Sequence, residues 1–360
     1  MPSIIIFIGL GLLTLFVLLL PFTSSWVQKN LEAFFLLMGV IAVSVSRSWN
    51  WNLALDALRT PLVSDTIWFG IFQIVLIFGL LAHIYRHQIC TISTLLYNKL
   101  HPRVYIFSLV AVLGYSAAII SLPVAAIILS ESLLVMSISR KDKVKLAVFT
   151  CFAMGLGSSL TPIGGPQAAI LAGRLSGAPY HAGFSFLWLN FWQYIVPGVL
   201  GLASVACLYI RPGTMIAGEH IQPPYSETNR SIVIKAVRIY VFIVGLVLLG
   251  NGLEPLAKVT FSLAPHWALY WINTTSAILD NSVMTAIEIT PSMAIHQIIG
   301  ATMGLLIGGG ILIPGNIPNI VAAERLEISM KEWAVIGVPL GFALLGIYFA
   351  VLVFRLGASI

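Results

Sequence analysis

Long apolar runs separated by short basic segments dominate the chain from end to end. A membrane-spanning helix needs about 20 mostly apolar residues. Runs approaching or reaching that length lie near 4–22, 31–46, 67–85, 143–160, 184–210, 232–252, 297–313 and 333–354. The first has no basic residue before it and no Ala-x-Ala-like site after it, so it reads as a retained span, not a cleaved signal. Two further regions are too long for one crossing and are interrupted at their centres. Residues 104–139 carry Glu131 as their one charge and Pro123 near the middle, and residues 257–294 carry Asp280 and Asn281 near the middle. Each reads as two spans or as a re-entrant helical hairpin with its tip at membrane depth. The segment Trp49 to Leu58 is expected to form a short amphipathic helix on the outer face.

Loop charge favours the hairpins. With both in place, the basic groups around 86–103 and 140–145, together with Lys29, Arg211, Arg230, Lys235, Arg325 and Lys331, fall on one side. Only Arg47, Arg59, Arg174, Lys258 and Arg355 fall on the other, and both chain ends then face outward. Such a bias marks the richer side as cytoplasmic. It also accounts for the formal net charge of +6 without nucleic acid as a partner. A composition of 59% hydrophobic and 9% charged residues excludes a soluble globular chain, which carries roughly 25% charge. Cys90, Cys151 and Cys207 have neither metal-ligand spacing nor a disulfide framework, and no cofactor is expected. No linker divides the chain, so one transmembrane domain over 1–360 is expected, multi-pass in a prokaryotic inner (plasma) membrane.

Two stretches echo each other. Ser116–Ile127 aligns with Ser276–Ile287, and GSSLTPIGGPQ (Gly157–Gln167) aligns with GGILIPGNIPN (Gly309–Asn319). Each half, about 67–210 and 232–354, then reads as span, hairpin, Gly/Pro-broken span, span, with the halves opposite in orientation. The expected fold is an all-α polytopic membrane protein, an inverted-repeat transporter with two re-entrant helical hairpins and two broken transmembrane helices. Paired Gly/Pro-interrupted segments of this kind point to a binding site near the bilayer midplane.

Helices that stop inside a membrane leave backbone N–H and C=O groups that must line a buried or watery cavity. Carbonyl ends suit cations and helix N-termini suit anions. Around the breaks, Gly164, Gly165 and Gly315 permit the turns, while Thr161, Gln167, Asn316 and Asn319 offer polar groups. Glu131, Asp280 and Glu288 are the acids inside apolar segments, and intramembrane acids are functional by default. Asp280 leads, beside Asn281 and Ser282 at the second hairpin tip; Ser121 occupies the first. Glu288, eight residues on, returns to roughly the same helix face, and it and Glu131 are further candidate proton carriers.

SAILDNSVMTAIEI (Ser276–Ile289) and GGGILIPGNIPNIVAAERLEISMKEW (Gly308–Trp333) resemble the ion transporter superfamily. They are similar to the Asp-Asn hairpin tip and Gly-rich break of NhaD-type sodium/proton antiporters and arsenite permeases, and most like a prokaryotic family of uncharacterised, predicted cation transporters. The resemblance implies a scaffold and a mobile transport part, elevator-like movement, and commonly a homodimer. The first tip, Ile120-Ser121-Leu122-Pro123, lacks Asp-Asn, and Gly165-Pro166-Gln167 stands where the antiporters carry an acid.

The expected function is cation/proton antiport. Asp280 alternately holds Na⁺ and H⁺, while Asn281, Ser282, Asn316, Asn319, Ser121, Thr161 and Gln167 supply neutral oxygens. The alternative is an anion transporter, sodium-coupled or uniport, for arsenite, sulfate or a carboxylate, held at the half-helix N-termini of Pro166 and Pro318. An enzyme is not expected: an intramembrane aspartyl protease needs two aspartates, and His-Glu-x-x-His is absent.

Overall fold

Apolar runs become helices because a helix satisfies its own backbone polar groups where no water can do so. The computed structural model describes residues 4–63, 71–85, 88, 91, 95–96, 99–120, 122–136, 138–210, 228–263, 266–279 and 281–356. Among them the structure is all-helical, with no strand. In order come α1 (Ile4–Thr23), α2 (Ser25–Lys29), α3 (Leu31–Ser46), α4 (Trp51–Arg59) and α5 (Ile71–Ile84). Next are α6 (Pro102–Ile120), α7 (Leu122–Val135), α8 (Arg140–Gly157), α9 (Pro166–Arg174) and α10 (Phe186–Tyr209). The remainder are α11 (Asn229–Leu263), α12 (His266–Ile272), α13 (Asn281–Glu288), α14 (Ile295–Gly310), α15 (Ile317–Leu326) and α16 (Met330–Leu356).

Five of these helices, α6, α8, α10, α11 and α16, contain stretches long and apolar enough to cross a membrane. Large apolar side chains such as Ile119, Leu208 and Phe354 face outward, a surface that suits lipid and not water. The helices follow the predicted runs closely, with one departure. The run ending near 252 continues as α11 to Leu263, so the region assigned to the second hairpin loses its first residues. Pro255 removes one N–H within α11 without ending it, as membrane helices tolerate. The expected amphipathic helix forms as α4, with Asn50 Oδ1 capping Leu53 N at 2.7 Å, and Leu53 and Ala57 pack on Val244 and Leu248 of α11, the longest described helix.

Close helix approach relies on small residues, as in membrane bundles generally. α3 lies so tightly on α11 that a Cβ at Gly39 would meet the Gly245 carbonyl at 2.5 Å. Two elements match the predicted interruptions. α6 and α7 pack together as a helix pair joined at residue 121. α12 runs through a 3₁₀ segment (Asn273–Ala277), and α13 follows after residue 280. Residues 121 and 280 themselves lie outside the described residues.

Packing crosses between the halves: α7 lies on α15, and α9 lies on α13. The ends are pinned by polar contacts. Arg140, at the start of α8, donates to the Leu326 and Glu327 carbonyls, both at 2.7 Å, and pairs with Glu332 at 3.0 Å. Tyr180 donates to the Met293 carbonyl, joining the loop after α9 to the loop before α14.

Candidate functional site

The two breaks have the backbone that their glycines and prolines predict. α8 ends at Gly157, a 3₁₀ turn covers Ser158–Leu160, Thr161 is extended, and α9 starts at Pro166 with extended Gly165 as its N-cap. α14 ends at Gly310, Leu312 is extended, a 3₁₀ turn covers Ile313–Gly315, and α15 follows extended Asn316. Proline is tolerated in a first helical turn, where its missing N–H has no intrahelical partner.

Both breaks and both interrupted helix pairs meet at one small cavity. It is lined by Leu122, Ser158, Gly165, Pro166, Gln167, Asn281, Ser282, Asn316 and Ile317, and its volume is about 10 Å³, room for one water-sized occupant. Four helices begin there: α7 at Leu122, α9 at Pro166, α13 at Asn281 and α15 at Ile317. Each contributes a residue of its first turn to the lining, and a helix N-terminus carries positive partial charge. The C-terminal end of α8 arrives at Ser158, whose hydroxyl donates back to the Gly155 carbonyl at 2.9 Å.

Asn281 is the most exposed question in this site. Its side chain is buried, yet neither its amide nitrogen nor its oxygen has a hydrogen-bond partner, and Gln167 Nε2 is likewise unpartnered. Leaving such groups unpaired costs about 1–3 kcal/mol each. Glycine makes room for both asparagines. A Cβ at Gly309 would lie 2.3 Å from Asn281 Nδ2, and one at Gly155 would lie 2.9 Å from Asn316 Nδ2. Asn316 caps α15, its Oδ1 accepting from Ile317 N at 2.9 Å.

Of the residues singled out from sequence, Asn281, Ser282, Asn316, Gln167 and Gly165 line the cavity. Asp280 and Ser121 lie outside the described residues, although Asp280 is flanked by described Leu279 and cavity-lining Asn281. The others hold the breaks together instead of lining the cavity. Asn319 donates through Nδ2 to the Gly309 carbonyl at 2.8 Å and the Leu312 carbonyl at 2.9 Å, and Trp333 Nε1 donates to Gly310 at 3.2 Å. The carbonyl end of α14 is therefore engaged by protein donors. Thr161 donates to the Ala118 carbonyl of α6. Gly164 packs over the Ser158 carbonyl, and Gly315 sits against the carbonyls of Ser276 and Gly309, positions where a Cβ would come within 2.0 Å and 2.5 Å of backbone.

Two acids lie away from the cavity. Glu131 is buried and accepts from Arg325 Nη2 in an ion pair joining α7 to α15. Arg325 is thus a buried partner, and not the loop charge assumed from sequence. Glu288 is buried at the end of α13 and accepts from Asn273 Nδ2 at 3.3 Å. The cavity's apolar lining, Leu122 and Ile317, carried no chemical signal in the sequence, and Asn273 was hidden in an apolar stretch.

The sequence is matched along almost its whole length. Residues 7–355 fit the family described as "Protein of unknown function (DUF1646)". The chain belongs to that family. No curated protein matches it.

Proposed function

We propose that this DUF1646 protein is a secondary active transporter of a small ion, a cation/proton antiporter with Na⁺ as the first candidate, and that the cavity between the four helix N-termini is its ion site. The observation that carries this is the meeting of both Gly/Pro breaks with both interrupted helix pairs around one buried, water-sized space. Its size of about 10 Å³, room for one water-sized occupant, is in keeping with a bare monovalent cation. Asp280 immediately precedes the first turn of α13, where helix N-termini favour a carboxylate. That carboxylate, with Asn281 Oδ1 and further neutral oxygens, makes an oxygen ligand set of the kind hard cations prefer. A proton competes for the same carboxylate, which gives exchange.

On this reading the halves form inverted repeats, and α6–α7 and α12–α13 are re-entrant hairpins. The crossed packing of α7 on α15 and α9 on α13 supports this, because each half's second hairpin arm then rests on the other half's broken helix. The similarity to the ion transporter superfamily adds elevator-like movement, a homodimer and a prokaryotic inner membrane to the proposal. No enzymatic role is proposed.

A second reading, anion transport, has one observation in its favour. Four N-termini converge with unpartnered amide donors on Asn281 and Gln167, while the carbonyl end of α14 is already engaged. Reconstitution in liposomes holding a pH-sensitive dye separates the two. Proton flux driven by Na⁺, K⁺ or Li⁺ and lost in D280N supports antiport. Silence toward every cation, with uptake of labelled oxyanion or carboxylate, selects the anion reading.

A further inference from the structure

The two buried glutamates are treated differently by the fold. Glu131 has a guanidinium beside it. Glu288 does not: its recorded contact is the Asn273 amide, and its Oε2 is buried without a partner. The orientation of that amide is settled by its surroundings. Asn273 Nδ2 lies between two acceptors, Glu288 Oε1 at 3.3 Å and the Ala301 carbonyl at 3.0 Å, so the atom between them must be the donor. Asn273 Oδ1 is turned away and is itself buried and unpartnered. Asn273 therefore presents no oxygen to a metal ion held by Glu288.

The charged and titratable groups on the elements packed against α13 are Arg174 on α9, Arg230, Lys235, Arg238, Tyr240, Glu254 and Lys258 on α11, and His296 on α14. Asp280 directly precedes α13, outside the described residues. No ion pair joins Glu288 to any of these groups among the described residues. Glu288 is also the last residue of α13, so an anion there would face the helix's negative C-terminal end. Burying an unpaired carboxylate costs several kcal/mol, whereas a carboxylic acid offers one accepting oxygen and one O–H. Oε1 accepts from Asn273, and Oε2 has neither a donor nor an acceptor, a position that costs less for an uncharged O–H than for a carboxylate's charge.

We infer that Glu288 is a proton-binding site separate from the cavity, carrying a proton on Oε2 in this conformation. It stands seven residues beyond Asn281 on one helix, roughly 10 Å from the cavity along the axis. Proton binding at one end of α13 and ion binding at the other thus act on the same rigid element. This goes beyond the assignment of Asp280 and does not depend on which ion occupies the cavity.

The test is infrared spectroscopy of the full chain in lipid vesicles at neutral pH, comparing wild type, E288Q and D280N. Glu288→Gln keeps the side chain's size and an accepting oxygen for Asn273, so the fold is retained. The expected result is a protonated-carboxyl C=O band present in wild type and D280N and lost in E288Q. Superimposable wild-type and E288Q spectra in that region overturn the proposal, as does a band lost in D280N but kept in E288Q. If the band behaves as expected while no cation drives proton flux, the antiport reading fails and the proton site stands.

Discussion

The ion pair between Glu131 and Arg325 locks the two halves together, and its removal should be costly. Both side chains are 3% exposed. Glu131 is nine residues from Leu122 and Arg325 eight from Ile317, so the pair lies about 12–14 Å below the cavity on helices that both begin there. Removing one partner of a buried pair typically costs about 3–5 kcal/mol, because the remaining charge loses its strongest compensation. The arginine cannot escape by losing its proton. At roughly 1.3 °C per kcal/mol for a chain of 360 residues, E131A and R325A should each lower the melting temperature by about 4–7 °C. Replacing both groups by apolar side chains of similar bulk, in E131L/R325M, should recover most of that loss, because such swaps are often neutral or stabilising. Thermal unfolding in detergent, followed by far-UV circular dichroism, measures all three variants. Single variants that melt within about 1 °C of wild type, or a double variant as unstable as the sum of the singles, would refute the reasoning.

Other variants probe the breaks and the polar contacts around them. Gly309→Ala puts a methyl where the Asn281 amide lies, 2.3 Å from its nitrogen, so ion flux in proteoliposomes should fall at least roughly tenfold. Its size-exclusion profile should stay unchanged. Gly157→Val forces a Cβ to within 1.9 Å of the Gly114 carbonyl, and overpacking of about 1–3 kcal/mol should appear as a lower melting temperature. Asn319→Leu strips hydrogen bonds from two buried carbonyls and should cost about 1–3 kcal/mol each, read from the same melts. Arg238→Ala is the contrast. Its pairs with Glu32 and Glu324 are both 3.6 Å long on a side chain 44% exposed, so stability should change by less than about 1 kcal/mol.

Much of the scaffold was legible because bilayer thickness leaves few alternatives to a helix for each apolar run. α3 begins and ends at the predicted residues 31 and 46, and α10 and α16 deviate by no more than about three at either end. The breaks were legible because proline and glycine have local backbone consequences. The end of α11 was not legible: the apolar run stops near 252, yet the helix passes through Pro255 to Leu263, as neighbouring helices in a membrane bundle allow. The site was read in part. Asn281, Asn316 and Gln167 reach the cavity, but nothing local distinguishes them from Asn319, which sits three residues after Asn316 and is turned toward carbonyls instead. Nor could spacing reveal that Glu131 meets Arg325, 194 residues away, while Glu288 meets only an amide. Those partners are set by helix packing across the two halves.

A cation site in the cavity would bind its ion in competition with protons. Equilibrium binding of radiolabelled Na⁺ to purified protein, in wild type, N281A and D280N at several pH values, tests it most directly. The expected result is saturable binding in wild type that weakens as pH falls, is reduced in N281A and is abolished in D280N. Binding of Na⁺ that is indifferent to pH and to D280N, or an absence of Na⁺ binding beside saturable oxyanion binding, would contradict it.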